Sequence, residues 1–308
     1  MPSTTYEKLF YQALRIRLVE ERIIDLYPSD KIQSPVHLSI GQEAVAVGVC
    51  QPLRETDWLF GSYRSHAFYL AKGGDLRSMF AELYGKLTGG SQGKAGSMHL
   101  TAPEVGFMGS SAVVASSIPH AIGAALAAKR LQKDQLVVAV FGDGATEQGV
   151  YHESLNFAAL HQLPVILVCE NNQLAVHSAL EARQSYSILD HAKTYGIPTS
   201  KVLEGYDLVK VQTAFADVVQ QVKRSQAPHW IEIQTYRYKE HVGPGDDYAA
   251  GYRSLQTLHD WQARDPLLLD QALVERFKPA IVKEIDDAVA FAEASPVPGR
   301  EHLLTDVI

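Results

Sequence analysis

Between residues 136 and 172 the chain alternates twice between apolar and polar in a way that few folds accept. Leu136 to Phe141 is a short apolar run that breaks into Gly142-Asp143-Gly144. Glu147 to Gln162 carries Val150, Leu155, Phe157, Ala158 and Leu160 at helical spacing. Pro164 to Cys169 is a second apolar run, and it leads to Asn171-Asn172. Strand, helix, strand in that order predicts a parallel pair joined by a right-handed crossover. In an open parallel sheet, ligands bind beyond the carboxyl ends of the strands. Burial gives no reason to place Asp143 and Asn172 at matching ends. A carboxylate and an amide oxygen that converge there, with positions left over, suit Mg2+ holding a diphosphate. Gly142 and Gly144 would let the backbone approach the phosphate, and a helix starting near Glu147 would aim its first amides at the anion. Taken singly, Gly-Asp-Gly is an ordinary turn and Asn-Asn an ordinary strand exit. It is the 26 residues between Gly144 and Asn171, filled by strand, helix and strand, that give the pair meaning. A dinucleotide fingerprint is excluded, because Glu147 stands where its third glycine belongs.

The flanking sequence extends the same pattern. Residues 4–27 read as a helix, with Thr4 and Glu7 as a capping box and Pro28 as its stop. A second helix is predicted near Gly41-Gln42-Glu43. Residues 85–117 are rich in Gly, Ser and Thr, which is long for a structureless loop in a compact domain and points to a functional one. Residues 118–132 are Ala-rich and helical, with Ala121, Gly123, Ala124 and Ala127 small enough for close helix approach. A helix near Leu208 to Arg224 precedes a strand from Trp230 to Tyr236, and the last 50 or so residues read as charged helix with a Pro-rich tail. The expected class is α/β, a parallel sheet with helices on both faces. The expected division is a helical extension at 1–60, an α/β core at 61–245 and a helical extension with tail at 246–308.

Composition removes several functions. The 308 residues, 46% hydrophobic, suffice for one large core. A net charge of -7, with both signs interspersed, offers no basic stripe for nucleic acid. No apolar run reaches the ~18 residues of a membrane span, and the N-terminus lacks a signal pattern, so cytoplasm is the expected location. Cys50 and Cys169 sit in separate apolar segments and read as reduced core residues.

Gly-Asp-Gly followed after two dozen residues by Asn-Asn resembles the thiamine diphosphate motif. The rest of the chain resembles the alpha subunit of the first component of 2-oxo acid dehydrogenase complexes, the pyruvate, branched-chain and acetoin group. The resemblance runs through His37 to Ala44, Gly61 to His66, Gly93 to His99, Thr235 to Tyr238 with His241, and a tail from Ala294 to Asp306-Val307. It implies a thiamine-diphosphate-binding fold with Mg2+ held by Asp143, Asn172 and the carbonyl of Leu174. Two diphosphate oxygens and a water would complete six ligands. Tyr63 and Arg64 would hold the diphosphate, and His66 and His241 would face the reacting carbon as catalytic residues. Gly142, Gly144 and Ala145 would lie along the cofactor, with Ala112 and Val114 against its aminopyrimidine ring. The resemblance also implies a beta subunit, carrying the pyrimidine-binding domain and a catalytic Glu, in an alpha2beta2 assembly. This chain has marks of only one Gly-rich α/β half, so it is expected not to turn over alone.

Departures from the family pattern bear on the substrate. Lys239 replaces the first His of the family's loop, and Val242 replaces a Ser that is phosphorylated in some members, which rules out that control here. Ser110 to Ala115 has lost glycines, and Gln173-Leu174 follows the Asn pair. Lys239 would add a cation near the active-site mouth. Three readings stand at the level of sequence. The first is an alpha subunit of a 2-oxo acid or acetoin dehydrogenase that passes an acyl group to a lipoyl acyltransferase. The second is a two-chain thiamine-dependent carboligase or decarboxylase without a lipoyl partner. The third is a non-catalytic cofactor-binding paralogue.

Overall fold

The structure, a computed structural model, describes residues 4–32 and 34–305. Asp306 and Val307 of the family-like tail lie outside the described residues. The strands are β1 (Trp58–Ser62), β2 (Phe107–Ser111), β3 (Val137–Gly142), β4 (Val165–Asn171), β5 (Leu174–Ala175), β6 (Ser178–Ala179), β7 (Thr199–Val202) and β8 (His229–Gln234). Six of them form one sheet in the order β2-β1-β3-β4-β8-β7, every neighbouring pair parallel. β5 and β6 make a small antiparallel hairpin. The helices are α1 (Thr5–Leu26), α2 (Glu43–Cys50), α3 (His66–Lys72), α4 (Leu76–Leu83), α5 (Ser117–Arg130), α6 (Gly149–Leu160), α7 (Ile188–Lys193), α8 (Leu208–Ser225), α9 (Leu255–Gln262), α10 (Pro266–Leu269) and α11 (Gln271–Ala294).

The central strands are buried on both faces, and their side chains divide with period two. Val138 and Val140 of β3, Ile166 and Val168 of β4 and Ile231 and Ile233 of β8 point into one core, shared with α1, α2, α3, α4, α8 and α11. Val137, Ala139, Phe141, Val165, Leu167, Cys169 and Trp230 point into the other, beneath α5, α6 and α7. The terminal segments expected as extensions, α1 and α11, thus pack into the same core as one face of the sheet. Both cysteines are free and buried.

Local rules set the helix ends. Thr4 Oγ1 accepts from the Glu7 amide at 3.1 Å, which starts α1 where the sequence places it. α8 buries Leu208, Val211, Phe215, Val218, Val219 and Val222 on one stripe, and the Asp207 carboxylate caps it by accepting from the amides of Val209 and Lys210.

Residues 91–96 of the Gly- and Ser-rich stretch are held by one buried acid. Glu82, near the end of α4, accepts from the amides of Ser91, Gly93, Ala95 and Gly96 at 2.7–3.0 Å. Four amides on one carboxylate replace the secondary structure that the segment lacks. The wider stretch also contains β2, which the composition conceals.

Candidate active site

The strand order fixes where a site can be. From β1 the chain passes to β2 on one side of β1, and β3 lies on its other side. Neighbouring connections therefore leave in opposite directions at this point, and a crevice opens beyond the strand ends. β1 delivers Tyr63 and Arg64 there, β3 delivers Asp143, and β4 delivers Asn172. The segment after β8 adds His241, and Gln42 enters from the residue just before α2. These six residues line one cavity, together with Glu170, Leu174, Val176 and others.

Asp143 is 1% exposed. Its Oδ2 accepts from Arg183 Nη2 at 2.5 Å, while Oδ1 is buried with no hydrogen-bond partner. Burial pushes its pKa up, against the pull of the Arg183 guanidinium. A buried carboxylate oxygen without a donor is costly, and a cation ligand is what would satisfy it. Asn172 is fixed from both ends of its amide. Its Nδ2 donates to Gln42 Oε1 at 3.0 Å, and its Oδ1 accepts from the Leu174 amide at 3.1 Å. That oxygen keeps a second lone pair for a metal. Gln42 Nε2 in turn donates to Glu170 Oε1 at 3.2 Å. Burial raises the Glu170 carboxyl to about 7, against the Gln42 hydrogen bond and the Arg64 charge.

Across the cavity stands a cation with no anion. Arg64 is buried, and its guanidinium donates to the carbonyls of Leu38 at 2.5 Å and His241 at 3.1 Å. Among the described residues no carboxylate lies within ion-pair distance of it. Desolvation lowers its pKa. A buried guanidinium with only carbonyl partners is expensive unless an anion completes it. The chain thus presents an uncompensated cation and a half-satisfied carboxylate to the same space. A divalent cation with a diphosphate answers both. The donor set fits that group, since one carboxylate and neutral oxygens suit a hard metal only when anionic ligand oxygens add the rest.

His241, Tyr63 and His37 form an aromatic cluster beside Arg64, with ring centroids 4.6–5.7 Å apart. Burial and the Arg64 charge hold His241 down to about 4 and His37 to about 3. Both imidazoles are neutral at neutral pH, so His241 can offer one N–H and one lone pair to a substrate.

The sequence profile of the family described as "Dehydrogenase E1 component" matches residues 11–301. The chain belongs to this family. Among E1-type relatives, the alpha subunit of acetoin:2,6-dichlorophenolindophenol oxidoreductase from Bacillus subtilis is 36% identical, over 99% of this chain and 95% of its own. The pyruvate dehydrogenase E1 component alpha subunit of Zymomonas mobilis is 34% identical, over 98% and 88%. A solved transketolase from Campylobacter jejuni shares the fold with a TM-score of 0.60 at 17% identity. That match covers 95% of this chain but only 49% of the transketolase, so this E1-type chain spans about half its length.

Within this E1-type site, the expected residues Tyr63, Arg64, Val114, Gly142, Asp143, Gly144, Ala145, Asn172, Leu174 and His241 all border the cavity. Two do not. Ala112 lies between Ser111 and Val113, which do line it. His66 is fully buried at the start of α3, with Nε2 2.7 Å from Ser97 Oγ and Nδ1 3.3 Å from Glu20 Oε1. Those contacts tie α1 to the Gly-rich segment and keep the ring out of the cavity lining. The helix after Asp143 also starts later than expected. Asp143–Glu147 forms a 3-10 turn closed by Thr146 Oγ1 donating to the Asp143 carbonyl at 2.7 Å, and α6 begins at Gly149. Gly142 is open to the cavity, but Gly144 is small for another reason. A Cβ there would come within 2.8 Å of Ala175 Cβ on the hairpin. Lys239 does not reach this cavity either. It lines a separate hollow with Arg17, Glu21 and Asp246. The residues that sequence reasoning missed are Gln42, Glu170 and Arg183. Glu170 carried a signal, as a lone acid inside an apolar strand.

Proposed function

We propose that this chain is the alpha-type subunit of a thiamine-diphosphate-dependent dehydrogenase for a 2-oxo acid or acetoin, working with a beta-type subunit. The observation that carries the reading is the pairing of Arg64, a buried cation without an anion, with Asp143, a buried carboxylate with a spare oxygen, across one cavity. Family membership and alpha-subunit relatives over nearly the whole chain support it. In this reading Asp143, Asn172 and the Leu174 carbonyl hold Mg2+, and Tyr63 with Arg64 holds the diphosphate. The cofactor, when bound, supplies a carbanion centre and an electron sink for cleavage next to a carbonyl.

The chain's own residues do the rest. Gln42 accepts from the Asn172 amide nitrogen, which would leave the Asn172 oxygen for the metal. Arg64 neutralises anionic charge in a site with little water to do so. His241, kept neutral by burial and by Arg64, can donate a hydrogen bond to a substrate carboxylate or carbonyl and pass a proton. Val113 and Val114, 67% and 45% exposed at the rim, give the partner chain an apolar edge to cover. The catalytic Glu and the acyl acceptor, a lipoyl acyltransferase in this reading, come from other chains. No helix of the described residues is long and apolar enough to cross a membrane.

The test is a dye-reduction assay on the complex purified natively, supplied with thiamine diphosphate and Mg2+. Reduction with one 2-oxo acid or with acetoin is expected. Bound cofactor without dye reduction, but with carbon–carbon ligation to an added aldehyde, would replace the dehydrogenase reading with the carboligase.

A further inference from the structure

Arg183 belongs to none of the expected site residues, yet it grips the most important one. It sits just after a 3-10 turn, Leu180–Ala182, beyond the β5–β6 hairpin. Its side chain is 10% exposed. Nη2 donates to Asp143 Oδ2 at 2.5 Å, Nη1 to Glu147 Oε1, and Nε to the Ser178 carbonyl at 3.2 Å. One guanidinium thus spans the 3-10 turn after β3 and the hairpin after β4.

A divalent cation on Asp143 would stand within a few ångströms of this guanidinium. Like charges that close, in a buried site, repel strongly. Asp143 is also the only carboxylate among the three expected metal ligands, and with Oδ2 on Arg183 and Oδ1 free it would place both cations on one carboxylate. The hairpin before Arg183 holds two residues in an uncommon backbone conformation. Val176 has φ 54 and Gln173 φ 64, a left-handed conformation that a β-branched residue rarely adopts. Such residues persist only where surrounding contacts hold them. Here those contacts are the Gln173 amide donating to Asn171 Oδ1 at 2.9 Å, the Leu180 amide donating to the Gln173 carbonyl at 2.9 Å, and Arg237 Nη2 donating to the Val176 carbonyl at 2.9 Å.

We propose that Arg183 is a counter-ion whose fixed charge, held on Asp143 Oδ2, opposes a divalent cation on Oδ1 and so sets how much metal the site demands. The inference rests on the cofactor reading above. Arg183 is a positioning residue: through Nη2 it aims the Asp143 carboxylate, and through Nε it ties that carboxylate to the Ser178 carbonyl of the hairpin.

The experiment uses the full-length chain with its beta-type partner, stripped of metal and cofactor by chelation. Mg2+ is titrated in the presence of saturating thiamine diphosphate and binding is read by calorimetry, with melting temperature measured on the stripped protein. For R183Q we expect a lower melting temperature when stripped, restored by adding D143N, because the first change leaves a buried carboxylate alone. We expect half-saturation at about tenfold less Mg2+ than in wild type, the loss of one opposing charge. If R183Q fails to fold, R183K decides the matter. It keeps the charge but not the fork that bridges both carboxylates, so its Mg2+ demand should stay near that of wild type, and a tenfold fall would overturn the inference. Unchanged or higher Mg2+ demand in R183Q overturns the inference, and a higher one makes Arg183 a diphosphate ligand instead. Wild type that binds no thiamine diphosphate with Mg2+ at all overturns the cofactor reading itself.

Discussion

His241 and Glu170 face the same cavity but titrate in opposite senses. The folded protein holds His241 down to about 4, whereas an unfolded chain protonates it near its ordinary 6.5. Between those values the unfolded state binds more protons, so stability falls as pH drops from 6.5 towards 4. An NMR titration of the His241 ring should give a midpoint well below 5.5, and a midpoint near 6.5 would contradict a desolvated, Arg64-facing imidazole. Glu170 is raised to about 7, so the folded state keeps a proton that the unfolded state has lost above 4.5. Its contribution falls as pH rises from 4.5 to 7. E170Q removes the ionisable group while keeping a polar partner for Gln42. It should stabilise the protein above pH 7 and change little below pH 5, as read by denaturant melts at both pH values. These two residues also show what the sequence discloses. Asp143 and Asn172 stand out because each ends an apolar run and so has no packing reason to be there. Glu170 is two residues before Asn172, but its meaning depends on Gln42, 128 positions away, through a hydrogen bond that no local pattern encodes.

Legibility at the scale of elements follows burial. β3 and β4 are covered on both faces, and near-continuous apolar runs announce them. β2 reads FMGSS and β7 reads TSKV. They are the two edges of the sheet, where polar and small residues are tolerated and no pattern survives. β1, a strand of five residues, is too short for its alternation to register. Inside the segment that looks least structured, residues 85–117, the stretch 91–96 is held by a single acid instead of by periodicity. E82A leaves four amides without their acceptor and should cost at least ~3 kcal/mol. Denaturant unfolding gives the magnitude, and limited trypsinolysis should show new cuts at Lys86 and Lys94. Thermal stability equal to wild type would mean that water can replace the carboxylate.

At the scale of the molecule, one buried ion cluster ties α1 and the start of α10 to the site. Arg17 of α1 donates through Nε to Glu43 Oε1 at 2.5 Å and through Nη2 to Glu43 Oε2 and to Asp265 Oδ2, both at 3.0 Å. Tyr238 Oη adds a donor to Asp265 Oδ2 at 3.1 Å. Glu43 follows Gln42, and Tyr238 begins the loop that carries His241. R17M removes the only cation that, among the described residues, pairs with these two buried carboxylates, and it should destabilise by about 3–5 kcal/mol. Cofactor affinity should fall with it, because Gln42 loses its anchor. Unimpaired calorimetric binding in a destabilised R17M would separate the two roles.

The cavity collects Gln42, Tyr63, Arg64, Asp143, Asn172 and His241, so its parts are strewn across most of the polypeptide. A ribosome adding about 5–20 residues per second needs on the order of tens of seconds to travel from Tyr63 to His241. Throughout that interval Arg64 has no site to join, and thiamine diphosphate can give no help to the nascent chain. The ligand can reward only a nearly finished product, so early survival rests on the chain's own burial of its strands and on whatever shields Asp143 until His241 emerges.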